Sequence, residues 1–438
     1  MCALPLSTLD TTSEGIRRSR LDFWERVQAL EIKYQVLWQT TEESLPVPGP
    51  GSSWLMRYSN ARHCRKLVDR MAGEIEGFPV DDSDRLTWRR RMEREIQSFG
   101  ESRLGWPQEY RDLLVSEDFY DSTIDFVRRA RKFDPQISGS DVGQALRNVW
   151  IVNSLQMILD LEIVLTPAVF AYSMLYPYTD NFLDDPDHSK DVKMEFNRRL
   201  GRWLAGMSTA PLGDRQAAVY RLLLMVESQF DRERYHLVYS SLQAIHAGQQ
   251  NSLDQHEDIG SVLGEAELLA ISVGKGGASV LADGYLAAGS LSLEEEDFCV
   301  GYGVLLQLLD DLQDVTCDLD AGHQTLFTQA AKSAVLDAIT SRLYHFMHRV
   351  VDGAVRLGAD CHRPQKDLIL RNCVSLLVGA VADNPGRYSR RYVRSLQSRW
   401  PLGFRAMRRL KNRGRRGFGD AAEILRRSHS CESVLDLI

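Results

Sequence analysis

Two acidic clusters, Asp180-Asn181-Phe182-Leu183-Asp184-Asp185 and Asp310-Asp311-Leu312-Gln313-Asp314, each close an apolar, helix-like stretch. In each, carboxylates four residues apart (Asp180 with Asp184, Asp310 with Asp314) emerge from one helix face. Charges so close repel unless a cation sits between them. A hard divalent ion with oxygen ligands is the natural partner, and Mg²⁺ usually keeps positions open for a phosphorylated substrate. The fold must satisfy these carboxylates by pairing, hydrogen bonding or metal, because burying them unpaired is costly.

The two clusters differ in weight. Asp180, Asp184 and Asp185 taken alone also suit an exposed acidic helix end before the turn Asp185-Pro186-Asp187. Asp310, Asp311 and Asp314 follow the apolar run Phe298–Leu309, where adjacent aspartates are hard to explain as surface decoration. Between the clusters lies Lys275, flanked by Gly274, Gly276 and Gly277. The glycines permit close approach or a kink. The lysine suits a phosphate as a point charge, or a snorkelling surface position.

The background is helical. Val219–Phe230, Gly264–Gly289 and Leu336–Leu357 carry apolar residues three and four apart, and alternating strand patterns are scarce. The expected class is all-α. The run Ile163–Thr179 falls short of the ~20 residues that a membrane span needs and holds Pro167 and Pro177, so a buried core helix is expected. Three regions separate: 1–135, polar helices without a chemical motif; 136–385, which holds every candidate site; and 386–438, a strongly basic tail. The first region leaves a helical lid, a degenerate companion domain or a homodimer surface open. The tail reads as a solvated face or frayed end. Alternatively Phe404, Met407 and Leu410 among its arginines make an amphipathic helix for peripheral membrane contact.

The net charge of −7 argues against a nucleic-acid binder. The seven cysteines are scattered with no C-x-x-C pair, so neither zinc nor a disulfide framework is indicated. Met1–Gly15 lacks a basic region followed by an apolar core, so no secretory signal is expected. The expected setting is reducing and cytoplasmic.

Taken together, the residues resemble the trans-isoprenyl diphosphate synthase lineage of class I isoprenoid synthases. Gly143-Gln144-Ala145-Leu146-Arg147 looks like a degraded G-K-R-x-R element, and Asp180–Asp185 like the first Asp-rich motif with Asn181 in its second position. Gly248-Gln249-Gln250-Asn251-Ser252-Leu253-Asp254 is similar to the G-Q-x-x-D helix. Lys275 matches the lysine of the K-T element, with Gly276 for threonine, and Gln307 with Asp310–Asp314 matches the second D-D-x-x-D. The likeness runs from about residue 140 to 330 in the family's order.

The resemblance implies an antiparallel helix bundle around a deep apolar cavity. It implies several Mg²⁺ ions held by Asp180, Asp184, Asp185, Asp310, Asp311 and Asp314. The implied substrate is a prenyl diphosphate, contacted by Arg147, Lys275, Gln307, Tyr176 and Phe182. Asp180, Asp184, Asp310 and Lys275 would carry its ionisation. Aromatic faces stabilise the resulting cation, and Phe170, Tyr176, Tyr178 and Phe182 lie near the first cluster, although core packing is the commoner role for such rings.

Departures from the pattern favour one activity within the lineage. Elongating enzymes hold a second anion, isopentenyl diphosphate, on basic residues that here are Gln144 and Ala145, and no arginine pair closely follows Asp185. Ala321-Gly322-His323-Gln324-Thr325 stands where a G-K-x-x-G stretch is expected. The expectation is therefore a terpene synthase, with chain elongation as the alternative. The terpene synthases' N-S-E triad is not evident, so such an enzyme would descend from the elongating lineage. Two further classes stay open. A di-iron bundle would use Glu233-Arg234-Tyr235-His236, but no partner Glu-x-x-His is found. A non-catalytic binding subunit is the other.

Overall fold

The computed structural model describes residues 13–76, 82–107, 117–184, 188–255, 262–353 and 363–413, and its regular elements are helical. The chain is all-α over these residues. The helix α10 (Glu265–Ala288) runs through the middle. It packs against α9 (His236–Ser252), α11 (Leu293–Gln313), α5 (Gly139–Ile158), α6 (Pro167–Asp184) and α1 (Ser13–Gln39).

Local chemistry explains how α10 and α11 pair. Gly289 ends α10 in the left-handed region (φ 76°), which glycine adopts without a Cβ penalty. Ser292 then caps α11: its Oγ accepts from the Glu295 amide, and the Glu295 carboxylate accepts from the Ser292 amide. Glu294, Glu295 and Glu296 place negative charge at the positive end of the helix dipole. So short a connection between packed helices makes them antiparallel neighbours.

The helix α6 is a core helix, not a span. Thr166 Oγ1 accepts from the Val169 amide at its start, and Ala168, Val169, Phe170, Ala171 and Met174 are buried. Among the described residues no helix is long and apolar enough to cross a membrane. The helix α4 (Glu117–Phe133) covers α5, while α7 (Lys190–Leu204) and α8 (Gly213–Gln229) flank α9 and α6. On the far side α14 (Asp337–Gly353) and α15 (Arg363–Asp383) close over α11. Two short helices, α12 (Val315–Ala321) and α13 (Leu326–Ser333), follow α11.

The first helix packs into the core built by helices beyond residue 135. Phe23, Val27, Tyr34 and Trp38 of α1 are buried in the same apolar cluster as α10 and α11. Arg26 forms a two-point ion pair with the buried Glu296, both contacts 2.8 Å, and Tyr34 donates to the carbonyl of Asp297 at 2.8 Å. The helices α2 (Trp54–Glu76) and α3 (Asp82–Phe99) lie outside this bundle. The chain entering α2 meets the end of α16 (Arg390–Ser398), where the Ser52 amide donates to the Ser398 carbonyl at 2.7 Å.

Candidate active site

The first cluster ends α6. Asp180 is half-buried, and its Oδ1 accepts from Gln249 Nε2 on α9 (2.9 Å) and from Thr179 Oγ1 (3.0 Å). Asn181 donates to Asp141 of α5 at 2.9 Å, which brings a carboxylate that the sequence reading had not singled out. Asp184 is the last residue of α6; its side chain, and all of Asp185, lie outside the described residues.

The second cluster ends α11 and runs one turn further than its motif. Asp311 is buried and accepts from Gln307 Nε2 (2.8 Å) and Ser272 Oγ (3.0 Å). Burial raises its carboxyl to about 6, with Asp310 adding and the two hydrogen bonds and Lys275 opposing. Asp310 is open to solvent but ringed by protein. Poor solvation, then repulsion from Asp314, raises its proton affinity, while Arg147 and Lys275 pull it down. Asp318 on α12 is pushed up to about 7, first by burial and then by Asp311, Asp314 and Asp310. It extends the i, i+4 series Asp310–Asp314 by one more turn. Nothing in the D-D-x-x-D spacing announces it.

Glycines connect the two clusters. A Cβ on Gly248 of α9 would fall 2.9 Å from Lys275 Cα, and one on Gly276 would fall 2.5 Å from Gln307 Cβ. Real Cβ atoms essentially never come within 3.0 Å of such neighbours, so only glycine lets α9, α10 and α11 touch at this level. Lys275 thus sits half-buried in the middle layer. On its α9 side Gln249 holds Asp180; on its α11 side Gln307 holds Asp311. Its charge acts on Asp310, Asp311 and Asp318.

The donor set is carboxylate and amide oxygen, which suits a hard divalent cation and not a soft one. Asp310, Asp314 and Asp318 sit in one another's field, and a cation among them would relieve that repulsion. Among the described residues, though, no three His, Cys, Asp or Glu side chains converge tightly enough to form a finished ligand set.

Beside Asp180 opens a narrow cleft whose enclosed volume is about 30 Å³, and whose mouth is open to solvent. Tyr172, Leu175 and Tyr176 of α6, Leu200 and Leu204 of α7, and Leu242 and Ile245 of α9 make it apolar, with Asp180 and Gln249 in its lining as well. Tyr176 is anchored by a 2.6 Å hydrogen bond to Ser279 of α10. One imidazole lines the pocket: His246, whose Nε2 lies 3.0 Å from the Asn197 carbonyl. A carbonyl only accepts, so Nε2 carries the proton and Nδ1 keeps its lone pair. Burial lowers the pKa of this ring and favours the neutral form, with the bond to Asn197 opposing. Gly201 makes room for the ring, since a Cβ there would lie 2.9 Å from His246 Cε1.

The remaining aromatic candidates face elsewhere. Phe182 packs on Phe196 and His188 beneath the Arg215 guanidinium, and Tyr178 donates to Asp134 at 2.6 Å. Phe170 packs on Phe126 and Phe133. Two residues along a helix is a turn of roughly 200°, so Tyr178 leaves the face that Tyr172 and Tyr176 share. His236 bonds Ser19 of α1 at 3.0 Å, not a carboxylate cluster.

No protein family's sequence profile matches the chain, and no curated protein matches it either.

Proposed function

We propose that this protein is a Mg²⁺-dependent class I terpene synthase. It would ionise a linear prenyl diphosphate, release diphosphate, and cyclise or eliminate the carbocation. The observation that carries this reading is the contact chain Asp180–Gln249, Gly248–Lys275, Gly276–Gln307 and Gln307–Asp311, with an apolar pocket beside it. It joins two separate carboxylate groups through a lysine, an arrangement that suits a metal-bound diphosphate. On this reading the helices form an isoprenoid synthase-type antiparallel bundle, and the pocket is the mouth of its substrate cavity.

Asp180, Asp184 and Asp185 on one side, and Asp310, Asp311 and Asp314 on the other, would hold the metal, with Asp318 able to join the second group. Bound Mg²⁺ supplies Lewis acidity toward the leaving diphosphate. Lys275 donates to a phosphate oxygen as negative charge builds there, and Arg147 adds a second cation at Asp310. Tyr172, Tyr176 and the leucines of the pocket keep water from the allylic cation. His246 Nδ1 accepts the terminating proton, and the electron pair of the broken C–H bond closes the new double bond.

Chain elongation within the same lineage is the alternative. Incubation with Mg²⁺ and geranyl, farnesyl or geranylgeranyl diphosphate, with and without isopentenyl diphosphate, separates the readings. Hydrocarbon or alcohol formed without isopentenyl diphosphate supports the synthase. Longer diphosphates formed only with it support elongation. No product under any condition rejects both and leaves a binding role.

A further inference from the structure

At the start of α2, Trp54, Leu55, Met56 and Tyr58 are 67, 68, 52 and 63% exposed. Trp54 and Tyr58 stack, with ring centroids 5.9 Å apart. Four large apolar side chains within five residues thus face water at the start of one helix. Scattered single apolar residues are ordinary, whereas a contiguous patch marks a partner.

The two chain stretches beside this patch carry charge of one sign. No Asp or Glu occurs from residue 44 to 68, while α2 carries Arg57, Arg62, Arg65 and Lys66. None occurs from 384 to 413 either. The two stretches touch: the Ser52 amide bonds the Ser398 carbonyl, and Asn60 Nδ2 donates to the Pro401 carbonyl at 3.1 Å. The helix α16 buries Tyr392 and Leu396 and leaves Arg390, Arg391 and Arg394 in solvent. Further along, Arg405 and Arg409 are exposed too. In a protein whose net charge is −7, this is a local concentration of cations beside apolar side chains.

The geometry points to a docking surface for an anionic lipid bilayer, with Trp54, Leu55, Met56 and Tyr58 entering the headgroup layer and the arginines of α2 and α16 meeting lipid phosphates. Tryptophan and tyrosine suit the interface because their rings are apolar at one end and polar at the other. Lysines and arginines near an anionic leaflet each add about 1 kcal/mol, and that attraction fades within a Debye length. Nucleic acid would satisfy the arginines but would leave Leu55 and Met56 in water. The surface is independent of the carboxylate clusters and holds whatever reaction the pocket performs.

The full-length protein is tested by co-sedimentation with vesicles of phosphatidylcholine alone or with about one third phosphatidylserine. Binding is expected to the anionic vesicles and to fall steeply with added salt. Trp54→Ala with Leu55→Ala is expected to lower the partition coefficient about tenfold or more. Arg391→Glu with Arg394→Glu should lower it on anionic vesicles by a similar factor, about tenfold. These side chains are exposed, so circular dichroism and melting should not change. Equal binding to neutral and anionic vesicles, or binding untouched by both double variants, overturns the assignment. So does preference for single-stranded RNA over vesicles, or a dimer in sedimentation that Trp54→Ala with Leu55→Ala dissolves.

Discussion

Gly276 and Gly303 meet backbone to backbone: a Cβ on Gly276 would lie 2.7 Å from the Gly303 carbonyl oxygen. This contact sets the spacing of α10 and α11, and so the distance from Lys275 to Asp311. Alanine is the better helix former by about 1 kcal/mol, but overpacking against rigid backbone costs about 1–3 kcal/mol. Overpacking should win. Gly276→Ala is expected to lower stability, read as a drop in the urea midpoint at constant slope. Gly143→Ala on α5, where a Cβ meets nothing within 4 Å, should instead stabilise by about 0.5–1 kcal/mol. If both shift in the same direction, backbone contact is not what glycine serves at 276.

Asp180→Ala and Asp310→Ala should each abolish turnover and leave the helical circular-dichroism signal intact. Asp310 contributes repulsion with Asp314, not packing, so its loss should not weaken the fold. Binding can be read without activity. A ligand at a hundredfold its Kd stabilises by about 2.7 kcal/mol, so Mg²⁺ with inorganic diphosphate should raise the melting temperature. Both variants should lose that rise. Retained activity in both would remove the two-cluster site.

His246→Gln keeps a donor for the Asn197 carbonyl and removes the Nδ1 lone pair. Per diphosphate released, the hydrocarbon share should fall about a hundredfold in favour of alcohol, the low end of what a positioned base supplies. Product analysis by gas chromatography gives the ratio. Gly201→Ala, which pushes the ring through Cε1, should move it the same way. A ratio unchanged in both variants would return the base to the diphosphate or to water.

Much of this site could be read along the chain because helix period and spacing carry it. Four-residue spacing put Asp310 and Asp314 on one face, and the glycines around Lys275 announced close approach. What escaped was set by contacts distant in sequence. Asp318 joins the cluster only because α12 carries on close behind α11 after Asp314. Asp141 matters because Asn181 reaches it across α5 and α6. His246 becomes a pocket residue through α7, which bears no motif. The helix α1 looked peripheral because most of its surface is polar and its partners Glu296 and Asp297 lie more than 260 residues away.

Asp283 is fully buried on α10; Asn148 donates to its Oδ1 at 2.9 Å, while Oδ2 has no partner among the described residues. Burial raises its pKa well above the carboxylate range, with the Asn148 bond opposing. Between the unfolded and folded pKa values, the native state holds a proton that the unfolded chain has lost. Stability must therefore fall as pH rises through that window. Asp283→Asn keeps the acceptor for Asn148 and removes the titration. Urea midpoints from about pH 4 upward should decline less steeply in Asp283→Asn than in the wild type. Parallel curves would mean that Asp283 is already ionised in the fold.

Arg26 and Glu296 decide whether α1 is part of the bundle or an appendage. Glu296 is 3% exposed and is held by Arg26 and by the Tyr285 hydroxyl. Its hydrogen bond to Arg26 is the largest cause raising the guanidinium pKa. Removing one partner of a buried pair costs about 3–5 kcal/mol because the other charge stays buried. Arg26 keeps about a third of its side-chain surface in water, so solvent can reach the gap and the low end applies. Arg26→Met should thus cost about 3 kcal/mol, whereas Arg26→Met with Glu296→Gln should recover much of it, since no charge is then stranded. An appendage would show neither effect: the single variant would melt with the wild type, and the bundle would fold with α1 deleted.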